Sequence, residues 1–329
     1  NDINCRDFVD RFIETIEEDK AWHFTMSDKE KYANIATGII AAFPEINENT
    51  IALYKAVEVL YSFSVRPQIA AELAERIFVF YESTSGRYSF DSARAAFKAG
   101  WVFAFNLWLD DALVNAEMWL EIAIEILEKI DLISVREHAT YGHTLINLSK
   151  ISLLLNDAKG DASYLKNAKE YAEAAIKINE RWIPEGDPQY PKVAGGYMQL
   201  ADVCIALGDY EQAMRLNDAA YNILYPLFGE DDSDTLHAMS RKVKILYGMK
   251  RFEEALTLSE ITVEEYDRFY SEIHFARYDQ LVIKLKCLIS TERVDEAKEL
   301  LEYILNLAKR IFAPNAKQLY DIQAIASEL

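Results

Sequence analysis

The chain has 329 residues and a formal net charge of −19, with 51% hydrophobic and 27% charged residues but only 11 glycines and 7 prolines. So few chain breakers exclude an all-β protein with many turns, while the apolar share supplies a large core. A surface this acidic, with no basic run of five or six residues, argues against nucleic-acid backbone and anionic lipid as partners.

Helical periodicity and stop signals define a series of helices from one end of the chain to the other. The first two, 4–20 and 28–43, form an N-terminal helical cap over residues 1–44. Helices 48–63 and 67–83 follow, the second carrying PQIAAELAERIF (Pro67–Phe78). Helix 89–109 ends in the apolar run Trp101–Leu109, which Asn106 interrupts and Asp110 and Asp111 close, well short of the ~18 residues that span a bilayer. Helices 113–131, 135–155 and 162–181 come next, with small pairs Ala116/Ala123 and Ala168/Ala175 two turns apart on one face. The repeat is read as running through the irregular stretch Trp182–Pro191 into helices 190–207, 210–228, 233–248, 251–270, 274–290 and 294–312. Pro226 is expected to kink or end its helix. Residues 45–313 are thus tandem helical hairpins, about six of them, and helix 315–328 caps the array within residues 314–329.

A period is visible in the second half. LGDYEQA (Leu207–Ala213), YGMKRFEEA (Tyr247–Ala255) and STERVDEA (Ser290–Ala297) align without a gap. Tyr210, Phe252 and Val294 are 42 residues apart, and so are Ala213, Ala255 and Ala297. Self-similarity at such a period marks a repeat architecture. In each copy a helix is expected to stop at a glycine, Gly208 or Gly248, in the left-handed turn that glycine tolerates. An aromatic or β-branched residue then packs into the corner. Acidic residues open the next helix, and an alanine lets the two helices approach closely.

LADVCIALGDYEQAMRLNDAA (Leu200–Ala220) resembles a tetratricopeptide repeat, with Leu200, Ala201, Gly208, Tyr210, Ala213 and Ala220 at that family's signature positions. The 42-residue period and FGEDDSDTL (Phe228–Leu236) resemble the kinesin light chain type of repeat. There Gly229, Glu230, Asp231, Asp234 and Thr235 match, and Asp232 and Ser233 replace the usual His-Pro. The resemblance implies an all-α, right-handed superhelical solenoid of stacked helix-turn-helix repeats, whose first helices line a concave groove. Of the paired asparagines that such repeats carry on the first helix, only Asn147 is present, so the usual grip on peptide backbone is not implied.

On each first helix, Ala104, Ser149, Ala201, Val243 and Leu285 serve as the small or apolar reference. Residues six and three before it, and one and four after it, share one face. They are Lys98, Trp101, Phe105 and Trp108; His143, Ile146, Lys150 and Leu153; Gly195, Met198, Asp202 and Ile205; His237, Ser240, Lys244 and Tyr247; Asp279, Val282, Lys286 and Ile289. If this face points into the groove, Trp101, Phe105 and Trp108 form an aromatic seat, and Lys98, Lys150, Lys244 and Lys286 form a basic strip on an acidic chain. His143, Met198, His237 and Tyr247 complete the candidate partner-binding set. The same aromatics also read as ordinary helix-to-helix packing, and the lysines as solvated surface.

The chain lacks GxSxG, HExxH and a phosphate-cradling glycine loop, and His138 and His143 fall on different faces of a helix, so no catalytic, cofactor or metal site is expected. Cys5, Cys204 and Cys287 have no paired spacing; Cys204 and Cys287 read as buried thiols of a reducing, cytoplasmic setting. The leading expectation is a scaffold that grips a protein or peptide, here an acidic segment with one bulky apolar anchor. A second is a peptide-sensing domain of a longer effector or nucleotide-hydrolysing protein, from which a chain beginning at Asn1 would be an excised piece. A third is a helical enzyme with a pocket near Trp101.

Overall fold

A computed structural model describes residues 2–16, 26–62, 67–105, 111–230, 232–269, 275–311 and 317–328. All regular structure among them is helical: α1 (Asp2–Thr15), α2 (Met26–Ala42), α3 (Ile51–Ser62), α4 (Pro67–Thr84), α5 (Phe90–Phe105), α6 (Ala112–Lys129), α7 (Val135–Lys159), α8 (Ala162–Trp182), α9 (Pro191–Leu207), α10 (Tyr210–Phe228), α11 (Ser233–Gly248), α12 (Phe252–Phe269), α13 (Phe275–Ser290), α14 (Val294–Ile311) and α15 (Lys317–Glu328). Each helix read from the sequence is found. Pro226 does not end α10, which runs on to Phe228.

Local chemistry explains the boundaries. Ser134 and Glu137 form a reciprocal capping box at the start of α7, the Glu137 amide donating to Ser134 Oγ and the Ser134 amide to Glu137 Oε2. Asp161, Asp209 and Asp232 accept from backbone amides at the starts of α8, α10 and α11. At the other ends the 42-residue period recurs in the backbone itself. Asp209 N donates to Cys204 O, Arg251 N to Leu246 O and Arg293 N to Leu288 O, each at 2.9 Å. The left-handed residue within these closures is Gly208 (φ 76°), then Lys250 (φ 60°), then Glu292 (φ 59°).

Gly248 therefore has a different role from the one expected of it. It is not a positive-φ glycine. Instead, a Cβ there would lie 2.1 Å from Tyr210 Cε1, so the missing side chain makes room for the Tyr210 ring. The packing alanines behave as the pattern requires. Ala116, Ala123, Ala168, Ala175, Ala213, Ala220, Ala255 and Ala297 are all fully buried. Of the corner residues, Tyr210 and Phe252 are half-buried, whereas the shorter Val294 stays 42% exposed.

The chain divides into two compact units, Asn1–Gln189 and Tyr190–Leu329, a division absent from a sequence reading that runs the repeat through Trp182–Pro191. In the first unit the hairpins α3–α4, α5–α6 and α7–α8 pack in succession, and α5 also touches α7. Its core is continuous from Phe12 in α1 to Leu155 in α7. In the second unit α9–α10, α11–α12 and α13–α14 follow the same scheme, with α9 touching α11, α11 touching α13, and α15 packed on α14. First helices thus stack directly on first helices, as nearest-neighbour repeats do. Side chains pin the layers to one another: Ser149 Oγ donates to Ala168 O at 2.7 Å, and Asn217 Nδ2 to Ala238 O at 3.0 Å.

Candidate functional site

The five reference residues are buried, so the faces chosen from the sequence flank the core along the first helices. In the first unit, Lys98, His143, Ile146, Lys150 and Leu153 are half-buried. Trp101 is only 7% exposed and belongs to the core. It forms a wall rather than a projecting anchor, and Lys98 Nζ lies 5.1 Å from its ring centre. The His143 ring meets Phe97 with centroids 5.1 Å apart. The Phe105 side chain and Trp108 lie outside the described residues, so the three-ring seat is represented by Trp101.

Beside Lys98 the first unit contains a cavity of about 280 Å³. Its walls are Ile13 of α1 and Ile16 just after it, Ala52, Ala56 and Val59 of α3, Ala74, Ile77 and Tyr81 of α4, and Ala95 of α5. Four alanines keep the space open. Charges of both signs also line it: Lys55 and Glu58 on α3; Asp91, Arg94 and Lys98 on α5. Lys55 Nζ sits 5.9 Å from the Tyr81 ring centre. Glu58 is buried and accepts from Ser62 Oγ at 3.0 Å. Burial raises the Tyr81 phenol above its ordinary pKa; Asp91 adds to the shift and Arg94 opposes it.

Part of this cavity was within reach of the sequence. Asp91 and Arg94 continue the stripe of Lys98 and Trp101 by further steps of three and four residues, back into the first turns of α5. The α1 and α4 contributions required the tertiary packing.

In the second unit, Met198, Asp202, His237 and Tyr247 are half-buried and Lys244 and Lys286 are exposed. Asp202 breaks the run of lysines in the sequence, and the structure pairs it with Arg241 of the next first helix. The contact is bidentate, Nε to Oδ1 at 2.7 Å and Nη2 to Oδ2 at 2.8 Å. The Asp202 carboxylate and its hydrogen bonds hold the Arg241 guanidinium above its usual pKa although burial pulls the other way. Ser240 is buried against the Tyr266 hydroxyl at 3.1 Å, so it is a helix-to-helix contact. Burial raises the Asp279 carboxyl, while Lys244 and Lys286 pull it back down. The lysine strip of this unit is therefore tempered: Arg241, Lys244 and Lys286 stand against Asp202 and Asp279. Arg241 was missed because it lies two residues before the reference Val243, off the sampled face.

Elsewhere, His138 stacks on Trp182 with ring centroids 4.0 Å apart, which gives it a packing role on α7 remote from that of His143. Cys204 and Cys287 are buried, and burial pushes the Cys287 thiol up to about 11.

No protein-family model matches the chain. A clustered mitochondria protein homolog of Candida albicans is 23% identical over 238 residues, which is 71% of this chain and 16% of that protein. The chain thus spans about a sixth of this relative. Among solved structures, NprR in complex with its cognate peptide NprX superposes with a TM-score of 0.58 at 11% identity, over 97% of this chain and 82% of that one. The apo form of RapI gives a TM-score of 0.53 at 13% identity, over 97% and 85% of the two chains. Together with the 42-residue period and the stacked first helices, these likenesses show the fold: an all-α array of tetratricopeptide-like helical hairpins.

Proposed function

We propose that this chain is a binding module that holds a protein or peptide segment on a first-helix face within a unit, and that it acts by binding rather than by catalysis. The observation that carries this reading is the character of that face. Polar and apolar side chains share it along directly stacked helices; most are half-buried, Lys244 and Lys286 are exposed, and in the first unit Lys98 borders an open cavity with largely aliphatic walls. The similarity to NprR, solved with its peptide, supports a peptide as the class of ligand. In the second unit Arg241, Lys244 and Lys286 stand against Asp202 and Asp279, and the first-unit face carries Lys98 and Lys150, on a chain of net charge −19. That local excess favours a neutral or acidic segment with one bulky apolar residue over a basic one, because screening at physiological salt confines the global field to about 8 Å. The buried Cys204 and Cys287 thiols fit a reducing, cytoplasmic setting.

A sensor role within a longer protein is the second reading, and the small share of the Candida albicans relative that the chain spans favours it. Selection of binders from a displayed random-peptide library tests the binding function. Selected peptides should lose affinity, and salt dependence, when Lys244 and Lys286 are both changed to glutamate. Peptides indifferent to that double change, and to changes at Met198 and Lys150, would place binding elsewhere.

A further inference from the structure

The cavity of the first unit has a size, a wall chemistry and a rim that together select a guest. We infer that it seats one aromatic side chain of the bound segment, an occupant deduced on the reading that the chain binds peptides.

Size sets the first limit. An apolar protein cavity of about 150 Å³ holds a benzene ring. A volume of about 280 Å³ accommodates a phenyl or indole group with its first methylene, and is too small for two such residues. The walls set the second. Ile13, Ile16, Val59 and Ile77 offer only aliphatic carbon, so the part of a guest that meets them is favoured when it is apolar.

The rim distinguishes aromatic from aliphatic. Lys55 and Lys98 line the space and already lie over aromatic rings, Lys55 over Tyr81, which lines the space too, and Lys98 over Trp101 of the core. A guest ring extends the set of π-faces around these two ammonium groups, an attraction that a leucine side chain lacks. Carboxylates and cations also line the space together, the buried Glu58 and the exposed Asp91 with Arg94 and Lys98. Peptide groups flanking the ring present both N–H donors and C=O acceptors, so a mixed rim suits a residue within a chain better than a free anion or cation.

The cavity alanines supply the test, because a larger residue there fills the space without altering the rim. The full chain, labelled at isoleucine, valine and alanine methyls, is titrated with N-acetyl-phenylalaninamide and N-acetyl-tryptophanamide. Saturable shifts are expected at the Ile13, Ile16, Val59 and Ile77 methyls, with a dissociation constant on the order of 1 mM or tighter for ligands of this size. N-acetyl-glutaminamide should give none. Ala95→Leu should abolish the shifts. Since Ala95 is buried and a larger residue there also costs stability, the exposed cavity residue Ala52 is changed to leucine alongside it, and Ala52→Leu should weaken binding at least tenfold with an unchanged melting temperature. Absence of saturable shifts at these methyls, or equal binding by the folded Ala52→Leu variant, overturns the aromatic seat. The library selection reads the other question independently. Peptides that bind the chain without an aromatic residue, and are indifferent to Ala52→Leu, overturn the seat and leave peptide binding intact. A library that yields no binder, with the methyl shifts present, overturns the peptide reading and keeps the cavity's aromatic preference.

Discussion

Gly248 offers a sharp test of how the repeats of the second unit pack. It ends α11, the first helix of its hairpin, and a Cβ built on it would lie 2.1, 2.3 and 2.6 Å from Cε1, Cζ and Cδ1 of Tyr210. These are body atoms of a ring, not the end of a flexible chain, so Gly248→Ala must displace the whole side chain. Overpacking of this kind costs about 1–3 kcal/mol. Alanine is otherwise the better residue at a helical position, by about 0.5–1 kcal/mol. The two effects separate in a double-mutant cycle. In the parent, urea unfolding should show Gly248→Ala destabilising by about 1–3 kcal/mol; in a Tyr210→Ala background the same change should be neutral or stabilising. Equal losses in both backgrounds would mean that the Tyr210 ring does not occupy the space above Gly248. Gly208→Ala is a contrasting control. Nothing lies within 4 Å of its Cβ position, so its cost, about 1 kcal/mol, comes from left-handed backbone alone and should be the same in either background.

Ala213→Trp and Ala255→Trp, at fully buried helix crossings, should each lower stability by about 1–3 kcal/mol or more, read by thermal or urea unfolding. Asp202→Ala leaves the Arg241 guanidinium without its bidentate partner and should cost about 2–3 kcal/mol, more than Asp218→Ala, which breaks the more exposed pair with Lys242. Glu125 is held at a pKa of about 2 by hydrogen bonds from Lys129 and Arg87. A carboxylate depressed in the folded state contributes stability that is present above its ordinary pKa of about 4.5 and lost as pH falls toward 2. Carboxyl NMR should find its midpoint well below 4.5, and Lys129→Ala should move it upward. Thiol reagent at neutral pH should label Cys204 and Cys287 far more slowly in the native chain than in urea.

The fold was legible because its determinants are local and repeated. Helix periodicity, the aspartate caps and the buried alanines all follow from residue types at fixed offsets. The exception is instructive. The left-handed turn that closes each first helix recurs at 208, 250 and 292, but its occupants are glycine, lysine and glutamate. A non-glycine residue bears that turn at a cost of about 1–2 kcal/mol, so glycine spacing alone pointed to Gly248, whose role depends on a ring contributed by the preceding hairpin.

For the candidate site, steps of three and four residues located half-buried faces on the first helices. They did not separate wall from anchor, as Trp101 shows, because burial depends on what the neighbouring helices cover. Nor did they reveal the cavity, which exists only where α1 and α4 meet α3 and α5. Arg241 illustrates the same limit: its partner Asp202 lies one repeat away, and no local pattern links them.

Site-specific photocrosslinking to a library-selected peptide tests the central claim most directly. A photoreactive residue is placed at Ile146 or Met198, on the first-helix faces, or at Val79 or Ile261, which are 59% and 47% exposed on the second helices α4 and α12. Crosslinks from Ile146 or Met198, competed by unlabelled peptide, with none from Val79 or Ile261, are the predicted result. Competable crosslinks from Val79 or Ile261 alone would contradict it and move the binding surface to the second helices.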